Sequence, residues 1–150
     1  MPTLSESLAD YLRRKPAYTS GKLCHAADTA MYFGQDGRVH ACCYNRTQEF
    51  GRYPDHTVDE IWQSTVRASM AQTMTRACLA DGCQTCEAQI QDGNYGGLLA
   101  DVYDKALPKP LFWRWGQHAR TGKMPTTLHF ELSNICNLEC TMCSGFFSSS

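Results

Sequence analysis

The sequence lacks any hydrophobic run that approaches the roughly 20 apolar residues needed to cross a bilayer. It also lacks the charged segment followed by an apolar segment that marks a secretory signal at an N-terminus. Neither sign of charge dominates, because 14 Lys and Arg residues stand against 15 Asp and Glu residues. These absences argue against a secreted protein, a membrane partner and a nucleic-acid partner. We therefore expect a cytoplasmic protein.

Cysteine is the residue that the sequence has in excess. Nine cysteines occur among 150 residues, in a chain whose 43% apolar and 19% charged content is typical of globular proteins. In a reducing compartment, dense cysteines bind metals or take part in redox chemistry more often than they form disulfides. An odd count also fits poorly with a fully paired disulfide framework. We interpret the cysteines as metal ligands first.

The first third of the chain predicts a helix followed by a β-hairpin. Apolar residues at helical spacing predict a helix over residues 4–15, within an N-terminal arm of residues 1–20. Two β-favouring runs, residues 29–33 and 38–42, flank a turn that contains Asp-Gly and predict the hairpin. Because a hairpin brings its two ends together, cysteines just before the first strand and at the end of the second become neighbours.

A second helix is predicted to begin at Thr57 and to run to about Arg76. Thr57 and Glu60 have the spacing of a capping box, in which each side chain binds the backbone N–H of the other residue. Beyond this helix, Gly82 predicts a turn with positive φ. That turn lets Cys83 and Cys86 point into one site.

A third helix is predicted over residues 98–107, closed by the prolines that follow. Residues 108–125 are predicted to be a linker with an aromatic segment, residues 111–115. We interpret that segment as packing between two modules, with stacking on a nucleobase as the weaker alternative.

Residues 126–133 alternate between apolar and polar side chains, a period of two that predicts a strand. Its two predicted faces carry Leu128, Phe130 and Leu132 on one side and His129 and Glu131 on the other. The strand leads directly into a loop of cysteines. In parallel α/β architectures, active sites lie at the carboxyl ends of strands.

The loop holds Cys136, Cys140 and Cys143 at C-x3-C-x2-C spacing. A [4Fe–4S] cluster is normally held by four cysteine thiolates, so a loop with three leaves one iron open to a small molecule. The alternative from the residues alone is a zinc site, for which His129 is the candidate fourth ligand.

This loop, directly after a strand, resembles the cluster loop of radical S-adenosylmethionine (radical SAM) enzymes. The resemblance implies that Cys136, Cys140 and Cys143 hold a [4Fe–4S] cluster whose fourth iron binds SAM. Met142 stands where relatives contact the adenine. The resemblance also implies a (β/α) barrel, an electron donor and radical-initiated modification of a substrate. Peptide modification is common among relatives with auxiliary clusters, so a peptide is a candidate substrate.

The earlier pattern, Cys24-x12-Gly37-x4-Cys42 and later Cys83-x2-Cys86, resembles the twitch domain. This domain is the half-sized relative of the SPASM domain and binds an auxiliary cluster in many radical SAM enzymes. The resemblance implies that the four cysteines ligate a second, closed [4Fe–4S] cluster within residues 21–107.

The residues by themselves are also compatible with other sets of ligands. A hairpin pair of cysteines followed by a C-x2-C pair is also how zinc ribbons are built. Cys43 directly follows a candidate ligand, so on a strand it is predicted to face the other way and to pack. Cys78 lies close enough to Cys83 to replace a ligand.

Together these patterns predict an α+β chain, the N-terminal portion of a radical SAM enzyme. A cluster-binding domain of a small β-hairpin plus helices is followed, at residues 126–150, by the first strand and cluster loop of an incomplete barrel. The barrel needs on the order of 200 further residues. We therefore expect the chain to be inactive alone and residues 128–132 to form an unpartnered strand. The competing interpretation is a standalone iron–sulfur or zinc module for binding or electron transfer.

Overall fold

The computed structural model describes residues 2–19, 21–75, 78–107 and 124–133. The helices of this part are α1 (Leu4–Arg14), α2 (Ala26–Thr29), α3 (Val58–Trp62), α4 (Thr65–Thr75), α5 (Gln84–Gln91) and α6 (Ala100–Lys105). The strands are β1 (Ala30–Phe33), β2 (Arg38–His40), β3 (Gly51–Arg52) and β4 (Thr127–Phe130). The predicted mixture of helix and strand in an α+β chain is confirmed. The aromatic segment 111–115 and the loop with Cys136, Cys140, Met142 and Cys143 lie outside the described residues.

The four strands form one sheet in the order β3-β2-β1-β4. Strands β1 and β2 pair antiparallel with Tyr32 opposite His40, which confirms the predicted hairpin. Gly37 has φ +80° in the turn, and a Cβ there would lie 2.5 Å from the carbonyl oxygen of Tyr53, so only glycine fits. Strand β2 ends two residues earlier than predicted, because the chain bends after His40.

Strand β4 is paired, so the expectation of an unpartnered strand is wrong. It lies parallel to β1, with Ala30 opposite Thr127 and Phe33 opposite Phe130. The backbone N–H of Glu131 extends this ladder by donating to the carbonyl of Phe33 at 2.9 Å. Period-two patterning identifies a strand but carries no information about a partner far away in the chain.

The two faces of β4 are the reverse of what hydrophobicity alone predicts. Its apolar side chains point outward, with Leu128 48%, Phe130 58% and Leu132 89% exposed. Its polar side chains point inward, where the Glu131 carboxylate accepts a hydrogen bond at 3.0 Å from Arg46. The ring of His129 packs between those of Tyr32 and Tyr103. On the other face the half-exposed Phe130 ring stacks on Phe33 with centroids 4.9 Å apart, so both faces of β4 contact the domain.

The helix predicted from Thr57 to Arg76 is two helices, α3 and α4, separated at Gln63 and Ser64. The capping box at the start of α3 is confirmed, with reciprocal hydrogen bonds between Thr57 and Glu60. Ser64 begins the next helix, since its hydroxyl accepts a hydrogen bond from the Arg67 N–H. A second N-cap seven residues after the first interrupts the helix without changing its apolar pattern.

The core lies between the sheet and the helices. Its largest fully buried side chains are Trp62, Leu23, Met31, Ile61, Met74 and Ile90. Helix α1 closes one side against α5, and the Tyr11 ring stacks on Tyr95 with centroids 5.6 Å apart. Among the helices described, none combines the length and the apolar character needed to cross a membrane.

Candidate metal centre

Four cysteines from separate segments of the chain line one cavity. Cys24 precedes α2, Cys42 follows β2, and Cys83 and Cys86 belong to the start of α5. These are the four residues that the sequence predicts as one ligand set. Cys42 and Cys83 are buried, and Cys24 and Cys86 are half-buried.

The C-x2-C pair uses the geometry of a helix N-terminus. Cys83 is the N-cap of α5 and Cys86 lies one turn later, so positions i and i+3 share one face. The preceding Gly82 has φ +90°, as predicted, and turns the chain into the helix. Sequence analysis missed α5 itself, because its polar stretch has little apolar periodicity.

The rest of the cavity wall is apolar apart from one phenol. Besides the cysteines, the lining consists of Leu23, Ala26, Met70, Met74, Leu79, Ile90, Leu98, Leu99, Ala100 and Tyr103. Among the described residues, none of those that line the cavity is charged. Four thiols in a largely apolar wall are a donor set that fits an iron–sulfur cluster held by cysteines.

Burial in this wall raises the pKa of the thiols. The pKa of Cys42 rises to about 11 and that of Cys86 to about 12, and the pKa values of Cys24 and Cys83 also rise. Desolvation is the main cause at each position, because a thiolate loses its hydration there. Metals bind the thiolate form, so the positive charge of bound metal has to replace these protons.

Asn45, which sequence analysis missed, donates hydrogen bonds to two of the cavity sulfurs. Its backbone N–H donates to Cys42 Sγ at 3.4 Å and its side-chain Nδ2 donates to Cys83 Sγ at 3.3 Å. The backbone N–H of Ala26 likewise donates to Cys24 Sγ at 3.4 Å. The signal available in the sequence is the asparagine itself, three residues after Cys42. Asparagine side chains in turns commonly bind nearby backbone groups.

A buried ionic network supports the segment around Cys24. Asp104 on α6 accepts from Lys15 Nζ at 2.7 Å and pairs with His25 Nδ1 at 2.8 Å. The same Lys15 ammonium donates to the carbonyls of Lys22 and Leu23. The residues on both sides of Cys24 are thus tied to α1 and α6.

The other described cysteines lie elsewhere. Cys43 occupies a bend instead of the predicted strand, is half-buried and does not line the cavity. Cys78 is exposed and also lies outside the lining. Among the described residues, no three Cys, His, Asp or Glu side chains lie close enough together to hold a single metal ion. The four cysteines therefore line one cavity without forming a site for a single ion.

The comparisons with known proteins identify the region that contains the four cavity cysteines. Residues 24–87 match the SPASM iron-sulfur cluster-binding domain. The matched region begins at Cys24 and includes Cys42, Cys83 and Cys86, the complete cysteine set of the cavity. The SPASM domain is found in radical SAM proteins. Comparison with curated proteins and with solved structures gave no match. The expected relation of this part of the chain to the SPASM domain is confirmed, and residues 24–87 are called the SPASM region below.

Replacing Gly82 by alanine should lower the free energy of unfolding more than replacing Gly21 by alanine. Both glycines have positive φ, +90° and +97°, so both replacements strain the backbone. Only at position 82 would the new Cβ also collide, 2.4 Å from Asn45 Oδ1, whereas Gly21 has nothing within 4 Å. Overpacking of this kind adds about 1–3 kcal/mol. Urea unfolding of both apo variants measures the difference, and equal losses would contradict the close contact.

Proposed function

We propose that the SPASM region binds a [4Fe–4S] cluster through Cys24, Cys42, Cys83 and Cys86. The observation that carries this proposal is that the four side chains line one apolar cavity although they come from three separate segments. The match of residues 24–87 to an iron-sulfur cluster-binding domain supports it independently. Four thiols satisfy the usual ligand requirement of such a cluster.

The surroundings of the thiols favour an electron-transfer role for this site. With four protein ligands the site is closed to substrate, and when bound such a cluster supplies one-electron transfer. The apolar lining keeps water and other ligands away from the sulfurs. The Lys15–Asp104–His25 network holds the backbone on both sides of Cys24 in place.

The larger function that we propose is that of a radical SAM enzyme, of which this chain forms the N-terminal portion. Cys136, Cys140 and Cys143 would hold a second [4Fe–4S] cluster that binds SAM, with Met142 near the adenine. The occurrence of SPASM domains in radical SAM proteins supports this assignment. The substrate would be modified by radical chemistry, with a peptide as the candidate, and an electron donor would serve the clusters.

A standalone iron–sulfur or zinc module is the second candidate function. The pairing of β4 with β1 favours it, because the strand before the C-terminal cysteines completes the sheet of the SPASM region. In a module of this kind the sheet needs no further strands to cover β1. Whichever of the two functions the protein has, measurement of its metal content distinguishes a cluster from zinc.

Anaerobic reconstitution with iron and sulfide tests the cluster assignment. The chain should take up about eight irons if both cysteine sets bind clusters and about four if only the cavity does. A matched variant, called the cavity-only chain, has alanine in place of Cys136, Cys140 and Cys143. It should retain about four irons and the brown absorbance of the cavity cluster. Tight zinc binding without visible absorbance in the cavity-only chain would overturn the proposal.

A further inference from the structure

Asn45 connects the two halves of the cysteine set. It lies in the bend after β2 and is 1% exposed. From this position it reaches Cys42 Sγ with its backbone N–H and Cys83 Sγ with its side chain. Its Nδ2 also donates to the carbonyl of Asp81 at 2.9 Å. One buried residue thus joins the hairpin ligand, through its backbone, to the loop that carries the C-x2-C pair, through its side chain.

The hydrogen bonds at the other end of the side chain fix its orientation. Asn45 Oδ1 accepts from the backbone N–H groups of Thr47 at 3.2 Å and Gln48 at 3.0 Å. The amide nitrogen faces a carbonyl and a sulfur, which are acceptors. A flipped amide would place its NH2 against two donors and its oxygen against a carbonyl, so only the observed orientation satisfies every partner.

Gly82 allows this contact to form. Any side chain at position 82 would collide with the Asn45 amide, as the 2.4 Å approach of a Cβ indicates. The backbone before Cys83 therefore passes directly against Asn45. The amide nitrogen and the Cys83 sulfur are in direct contact at 3.3 Å, and a hydrogen bond is electrostatically stronger in such a low-dielectric site.

We propose that Asn45 raises the reduction potential of the cavity cluster by donating its side-chain N–H to the Cys83 sulfur. This inference rests on the proposed cluster at this site. Reduction adds negative charge that is shared by the ligand sulfurs, so a donor at a sulfur favours the reduced form. Hydrogen bonds to the sulfurs are among the properties that set cluster potentials.

The midpoint potential of the reconstituted cavity-only chain tests this role, since that chain has a single cluster signal. Asn45→Ala should make reduction about tenfold less favourable, which lowers a one-electron potential by about 59 mV. Asn45→Asp should lower the potential at least as far. It keeps acceptors for the Thr47 and Gln48 N–H groups but removes the donor to Cys83. Thr47→Ala is the matched control, because the exposed Thr47 contributes its backbone N–H and not its side chain.

The outcomes separate this inference from the proposed function. A lower potential at undiminished iron content in Asn45→Ala or Asn45→Asp, with Thr47→Ala unchanged, supports the tuning role. An unchanged potential at full iron content overturns it and leaves the cluster assignment intact. Loss of iron from both Asn45 variants also overturns it, since Asn45 would then only hold the ligands in place. Failure of the unsubstituted cavity-only chain to bind iron would instead refute the proposed function.

Discussion

Replacing Cys42 by alanine should lower the iron content of the cavity-only chain, whereas replacing its neighbour Cys43 should not. Cys42 lines the cavity and its sulfur accepts the Asn45 N–H. Cys43 lies outside the lining, and its carbonyl accepts a hydrogen bond from Arg46 in the same bend. Loss of one of four ligands leaves one iron of the cluster without a protein ligand and weakens its attachment, so iron should fall clearly below about four per chain.

Cys42 and Cys43 are adjacent, so both variants remove one thiol from the same bend. The comparison of their iron contents therefore tests which of the two thiols is the ligand. Iron and sulfide content per chain, together with circular dichroism of the apo protein, separates loss of ligand from loss of fold. Full iron in Cys42→Ala would show that Cys43 or Cys78 can take its place. Loss of iron from Cys43→Ala with an intact fold would show that the ligand set is assigned wrongly.

Replacing Asp104 by alanine should cause a large loss of stability. The Lys15 and Asp104 side chains are only 3% and 6% exposed, so removal of the carboxylate leaves a buried ammonium without its counter-charge. Breaking a buried pair in this way costs about 3–5 kcal/mol. Because whole domains are stable by only about 5–15 kcal/mol, this loss should remove a substantial part of the stability of the apo protein.

Asp101 on the same helix supplies the control. It pairs with Lys105 at 2.5 Å, but the two side chains are 53% and 69% exposed, so Asp101→Ala should change stability by less than about 1 kcal/mol. Urea midpoints of the two apo variants provide the test. Combining Lys15→Met with Asp104→Leu should recover stability, since no unpaired charge is then buried. Similar midpoints for Asp104→Ala and Asp101→Ala would contradict the importance of the buried network.

Local sequence signals account for much of the fold and for the cysteine set. The hairpin turn at Gly37, the capping box at Thr57 and the positive φ of Gly82 each depend on a few neighbouring residues. The pattern of Cys24, Cys42, Cys83 and Cys86 likewise predicted the residues that line the cavity. In each case the chemistry of one short segment limits its conformation.

The features that sequence analysis missed depend on contacts between distant segments. The partner of β4 is a strand far earlier in the chain, and the polar side of β4 meets Arg46 and two tyrosine rings from distant segments. Asn45 acquires its role only when the C-x2-C loop folds against it. The Lys15–Asp104–His25 network similarly joins two helices and a loop. The periodicity of apolar residues and the spacing of motifs carry no information about contacts between such distant segments.

The parallel pairing of β1 and β4 bears on where the protein can be shortened. A truncation after residue 107 would remove β4 and leave the backbone of β1 bare along one side. Ala30, Met31 and Phe33 on that strand are buried, so the bare edge would be apolar. Unpaired apolar edges recruit strands from other molecules, and such a fragment should aggregate. Light scattering of fragments that end at residues 107 and 133 compares the two boundaries, with more aggregation expected of the shorter fragment.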